Sequence, residues 1–140
     1  MRSRIALFLS VSLVATAVLM TVATPATASS RTGVTIAGQV SNASLGLTLS
    51  VQAQAHGATA ASLSGQGMDN SVAGGKGYCT IPLTGSAAGN VATLSGAVSF
   101  SNDPANLGVP VTFTADASTG AITFNFGGFI FTGNGSVNIR

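Results

Sequence analysis

The chain has 140 residues, a formal net charge of +2 and only 6% charged side chains. Arg2 and Arg4 supply that excess; beyond them Arg31, Lys76 and Arg140 balance Asp69, Asp103 and Asp116, which leaves no basic patch for a phosphate backbone and argues against nucleic acid as a partner. A single Cys rules out an internal disulfide framework, so stability has to come from a hydrophobic core.

The N-terminus has the layout of a secretory signal helix. Arg2 and Arg4 precede an uncharged apolar run from Ile5 to Ala23, and Thr24-Pro25-Ala26-Thr27-Ala28 offers the small-residue cleavage site. Cleavage after Ala28 divides the chain into a signal peptide, 1–28, and one domain, 29–140. A retained anchor is the alternative. Against it, Ser10, Ser12, Thr16 and Thr21 dilute the run and no basic cluster follows it. The expected location is secreted or extracytoplasmic, with membrane contact only through the signal segment during export.

From Ser29 onward the apolar pattern has a period of two, the signature of half-buried strands. Val34, Ile36 and Val40 share a face. From Leu45 to Ala55 every odd position is apolar and every even one is small or polar. Around His56-Gly57-Ala58-Thr59 a three-residue loop at 57–59 predicts a hairpin pairing Ala55 with Ala61 and Ala53 with Leu63. Gly65 to Gly77 reads as the longest irregular stretch, because its glycines, Asp69 and Asn70 are turn formers. Cys79 falls in phase with Ile81 and Leu83, and Leu94, Val98 and Phe100 form a further apolar face. Ser101 to Asn106 is a loop with Pro104 fixing one φ.

The C-terminal third gives a register. Gly127-Gly128 suits a two-residue turn that sets Phe126 against Phe129 and Phe124 against Phe131. The loop Ala117–Gly120 pairs Phe113 with Phe124 and Ala115 with Ile122. Two independent turns therefore imply one apolar face, with Thr112, Thr114, Thr123, Asn125 and Thr132 facing water. The expected core joins Phe113, Phe124, Phe126, Phe129 and Phe131 to Leu45, Leu47, Leu49 and Val51. The fold class is all-β: a single antiparallel sandwich or small barrel of about seven or eight strands.

Catalytic chemistry finds few candidates. Acid/base hydrolysis needs two carboxylates across one bond, and the three aspartates lie in or beside loops. His56 is the only imidazole, and no serine sits in a G-x-S-x-G elbow. One Cys and one His are too few for zinc. Calcium would have Asn102, Asp103 and Asn106 with one carboxylate among them, a weak set. Gly74-Gly75-Lys76-Gly77 lacks the leading Gly and the following Ser or Thr of a phosphate loop. No catalytic residue, metal or cofactor is expected. Cys79 reads as a buried thiol, with an intermolecular disulfide as the alternative. Asn42-Ala-Ser44 and Asn134-Gly-Ser136 match glycosylation acceptors.

The functional expectation is a non-enzymatic binding or interaction module whose partner is an unknown protein or surface ligand. Its contacts are placed in the 65–77 segment: Asp69, Asn70 and Lys76 as polar groups, Met68 and Tyr78 as apolar ones. A self-associating structural surface protein, and so a homo-oligomer, is the alternative, since few charges guard the strand edges. An exported hydrolase and a membrane β-barrel come behind. The barrel would need interfacial Trp or Tyr, and Tyr78 is the only one.

Overall fold

The structure, a computed structural model, describes residues 31–71 and 77–140. The expected signal segment, 1–28, and Lys76 lie outside the described residues. Alternation produces strands almost everywhere: β1 (Thr32–Asn42), β2 (Leu47–Thr59), β3 (Ser62–Ser71), β4 (Tyr78–Ala88), β5 (Val91–Ala97), β6 (Phe100–Ser101), β7 (Pro110–Asp116), β8 (Ala121–Phe126) and β9 (Phe129–Ile139). A single 3-10 turn, Pro104–Asn106, is capped by Asp103, whose carboxylate accepts from the Ala105 N–H.

Each long strand pairs antiparallel with its neighbour in sequence, and β9 returns to pair with β1. The β3–β4 pairing completes the ring, giving a closed eight-stranded up-and-down barrel with the short β6 added beside β4. The fold is thus the barrel and not the sandwich. In a ring of eight strands the interior is just wide enough for side chains to fill it. Val34, Ile36, Val51, Ile81, Leu94, Phe113, Ile122 and Phe124 do so, each at most 1% exposed.

Two inward glycines show how the strands bend into a ring. A Cβ at Gly65 would fall on the Gln54 carbonyl oxygen, and one at Gly133 on that of Gln39. Both strands come so close to their neighbours there that no side chain fits, as at the corners of tightly coiled sheets. This corrects the reading of 65–77 as irregular. Residues 65–71 belong to β3, paired on both sides, and the glycines mark bends within a strand rather than its end.

The predicted β7–β8–β9 register holds at every pair: Phe113 faces Phe124, Ala115 faces Ile122, Phe124 faces Phe131 and Phe126 faces Phe129. The predicted β2–β3 register does not. The turn lies at Ala60-Ala61, and a bulge between His56 and Thr59 takes up Gly57, so Ala55 faces Gly65 and Ala53 faces Gly67. The expected core also shrinks at one end. Leu49, Val51, Phe113, Phe124 and Phe131 are buried, and Phe126 packs partly against them. Leu45, Leu47 and Phe129, sitting where the strands emerge, are exposed.

Phe100 leaves the core for a different reason. Gly96 pairs with Leu83 but Phe100 pairs with Thr80, so the β5–β6 side carries one residue more than β4. That bulge reverses the facing of everything after it. Phe100 turns outward, 56% exposed, and Ser101 turns inward against Cys79.

Candidate functional site: the mouth of the barrel

The β1–β2 turn, the long β5–β7 connection and the β8–β9 turn lie at one end of the barrel, where β3 also ends at Ser71 and β4 begins at Tyr78. Between them lies a cavity of about 240 Å³. Leu47, Leu49, Phe126 and Phe131 make its apolar walls; Asp69, Ser71 and Asn106 contribute polar atoms. Exposed apolar side chains surround the same end, among them Leu45, Leu107, Phe129 and Ile130.

Asp69 is the chemically unusual residue. Period-two alternation on β3 turns it inward, opposite Val51 on β2 and Cys79 on β4. It is 4% exposed and is the one charged side chain buried among the described residues. Its Oδ2 and the hydroxyl of Ser71 are both buried with no hydrogen-bond partner among the described residues. Burial pushes the Asp69 carboxyl up to about 6, an effect that a hydrogen bond from the Cys79 thiol partly offsets.

Cys79 is itself 1% exposed, and its Sγ lies 3.4 Å from the Ser101 hydroxyl. Burial raises its pKa, the Ser101 hydroxyl opposes that, and the neighbouring Asp69 charge adds to it. This thiol is enclosed by the barrel wall, so the structure favours the buried reading over the intermolecular disulfide.

The other residues proposed from sequence are divided between the two sides of the wall. Met68, Asn70 and Tyr78 face outward, where the Tyr78 hydroxyl donates to the Met68 Sδ at 3.4 Å and the Tyr78 ring meets Phe100 edge-on at 6.3 Å. Of the four that are described, Asp69 alone faces the cavity. The sequence reading missed the apolar walls and Ser71 as site residues. Alternation already put Leu47, Leu49, Phe126 and Phe131 on inward faces, but nothing in it marked which end of the strands would stay open.

His56 faces outward, with its ring over Gly33, and so is separated from Asp69 by the barrel wall. The Asn102, Asp103 and Asn106 side chains serve their own loop. Asn102 accepts from the Tyr78 N–H at 2.9 Å, Asp103 caps the 3-10 turn, and Asn106 reaches Ser101 at 3.5 Å. No group of three potential metal ligands converges among the described residues. A second concavity, about 690 Å³, lies on the outer face of β1–β3 and is lined by Gln52, Gln54, His56 and Gln66 among others. Those side chains are open to water and leave no polar group in want of a partner.

Comparison with known proteins finds no family model, no curated protein and no solved structure that matches the chain.

Proposed function

We propose that the chain is an exported, non-enzymatic binding module that takes a small, largely apolar ligand into the mouth of its barrel. The observation that carries this reading is the cavity itself. It is walled by Leu47, Leu49, Phe126 and Phe131, rimmed by exposed apolar residues and set on a rigid closed scaffold. The separation of His56 from Asp69 by the wall speaks against a hydrolytic pair. The polar outer face, with Gln52, Gln54, Thr112, Thr114 and Thr123, speaks for water rather than lipid around the barrel, since a membrane barrel turns its apolar residues outward.

Export follows from the basic, apolar and small-residue segments before Ser29. Mass measurement of the protein recovered outside the cytoplasm tests it; the expected N-terminus is Ser29, and an intact Met1 terminus in a membrane pellet overturns it.

The binding reading is tested with the chain from Ser29 onward, titrated by single-ring aromatic compounds and followed by methyl and amide NMR. Shifts are expected at Leu47, Leu49, Ser71, Phe126 and Phe131. Shifts confined to the outer face of β1–β3, or none with any compound, overturn it.

Self-association is the second reading, and one observation favours it: the apolar rim at the mouth. The edge-strand argument no longer supports it, because ring closure pairs every long strand on both sides. Sedimentation over a concentration series separates the two readings, and association that disappears in Phe129→Ser/Ile130→Ser would favour the second.

A further inference from the structure

We infer that the ligand of the mouth is a protonated amine on a small apolar skeleton, its N–H donating to the carboxylate of Asp69 in the cavity lining. The inference rests on the binding reading above and specifies its ligand. A buried ionised carboxylate costs several kcal/mol unless its oxygens receive hydrogen bonds or a counter-charge. Here one oxygen has neither among the described residues, and the Asp69 side chain lines the mouth cavity.

Among the described residues the surroundings offer no substitute donor. The Cys79 thiol has one proton, shared between Asp69 and the Ser101 oxygen. His56 is outside the barrel, and Arg31 and Arg140 lie by the opposite end, beside the start of β1 and the end of β9. The Ser71 hydroxyl, also without a partner among the described residues, provides an acceptor for a second N–H in the same lining.

The rest of the lining selects what accompanies the charge. Phe126 and Phe131 line the same cavity as the acid, and an aromatic face attracts an ammonium in a desolvated site. Leu47 and Leu49 complete an apolar sleeve. A dry cavity of roughly 150 Å³ accepts benzene. The 240 Å³ here fits one ring with a short aminoalkyl arm. A carboxylate or phosphate ligand would bring a second negative charge to Asp69 and is disfavoured on that ground.

The test compares 2-phenylethylamine with its neutral analogue 2-phenylethanol at pH 7.5, on the wild-type chain from Ser29 and on Asp69→Asn, by calorimetry with NMR to locate the shifts. The amine is expected to bind the wild type at least about tenfold more tightly than the alcohol. Asp69→Asn is expected to abolish that preference while leaving alcohol binding in place. Asn retains the shape of Asp and removes a buried charge, so the variant is expected to fold, and its amide spectrum checks this.

Equal binding of amine and alcohol by the wild type, with shifts at Leu47 and Phe126, overturns the amine inference and leaves the binding reading standing. Binding of neither compound, nor of any other single-ring compound, overturns both. The same pair is measured on Lys76→Gln; an amine preference seen only in that variant overturns the inference, because the chain's own lysine would then be satisfying Asp69.

Discussion

Asp69 concentrates the chemistry of this molecule in one side chain, and its protonation provides a direct test. Folded, the carboxyl has a pKa of about 6; unfolded, it returns to the ordinary value of 3.8. The folded state therefore holds the proton more tightly. Its contribution to stability is fully present below pH 3.8 and is lost as pH rises through 6, a decline of about 3 kcal/mol. Asp116 acts in the opposite direction: Ser118 donates to its carboxylate from both N–H and hydroxyl and lowers its pKa, but the group lies at the surface, where solvent screens it, and its effect is weak. Urea unfolding at pH 4, 5, 6 and 7 is expected to show the decline in the wild type and a flatter profile in Asp69→Asn, which should be the more stable protein at pH 7 by about 1–3 kcal/mol. Parallel profiles for the two proteins would refute this account of Asp69. In its proposed role as the ligand-binding group, Asp69 would exchange stability for function. The sequence drew attention to Asp69 for a different reason, as a loop residue. Its importance depends instead on an inward position in β3, which alternation alone implied once the strand was recognised.

Among the elements, the β8–β9 hairpin separates core from rim within a few residues. Phe124 is fully buried, with its ring 4.8 Å from that of Phe113 and 6.2 Å from that of Phe131. Phe129, five positions on, is 55% exposed. Phe124→Ala is expected to cost about 3–5 kcal/mol, and Phe129→Ala no more than about 0.5 kcal/mol. Similar urea midpoints for the two variants would contradict the burial pattern. Gly133→Ala belongs to the same strand and tests a different force. Its Cβ would meet the Gln39 carbonyl oxygen, so β1 and β9 would have to move apart, at a cost on the order of 1–3 kcal/mol or more. Gly46→Ala is a useful contrast: φ is +64° with nothing within 4 Å, so only the backbone penalty of about 1–2 kcal/mol applies. These cases also show what was legible beforehand. The β7–β9 register could be read because two short turns gave independent and agreeing answers. Phe100 was misread because one extra residue reverses every later side chain, and neither Val98 nor Ser99 announces a bulge. The 65–77 segment was misread because glycine has two uses in a barrel, as a turn former and as the site where neighbouring backbones nearly touch.

At the scale of the whole molecule, the decisive step is closure, which the sequence left open between sandwich and barrel. Local alternation is the same in both; the choice depends on whether β1 and β9, at the two ends of the domain, find each other. They do so over eight paired positions, from Val34 with Ile139 to Ser41 with Thr132. Beyond this ladder, Gly33 and Arg140 exchange two backbone hydrogen bonds at 3.0 and 2.9 Å. The two ends of the described domain are therefore neighbours, at the end of the barrel away from the mouth. The β4–β5 turn at Gly89-Asn90 lies at that same end and is exposed. A circular permutant that joins Arg140 to Arg31 through a short Gly/Ser linker and opens the chain between Gly89 and Asn90 keeps every strand pair of the ring. It is expected to retain the far-UV spectrum, to unfold cooperatively within about 1 kcal/mol of the parent, and to leave the mouth intact. A chain ending at Thr132 is the counterpart. It removes most of the β1–β9 ladder and leaves Val34–Val40 of β1 as a long unpaired edge, so it should lose cooperative unfolding and aggregate. A permutant that fails to fold, or a truncated chain that unfolds as sharply as the parent, would show that closure between β1 and β9 is not what holds this molecule together.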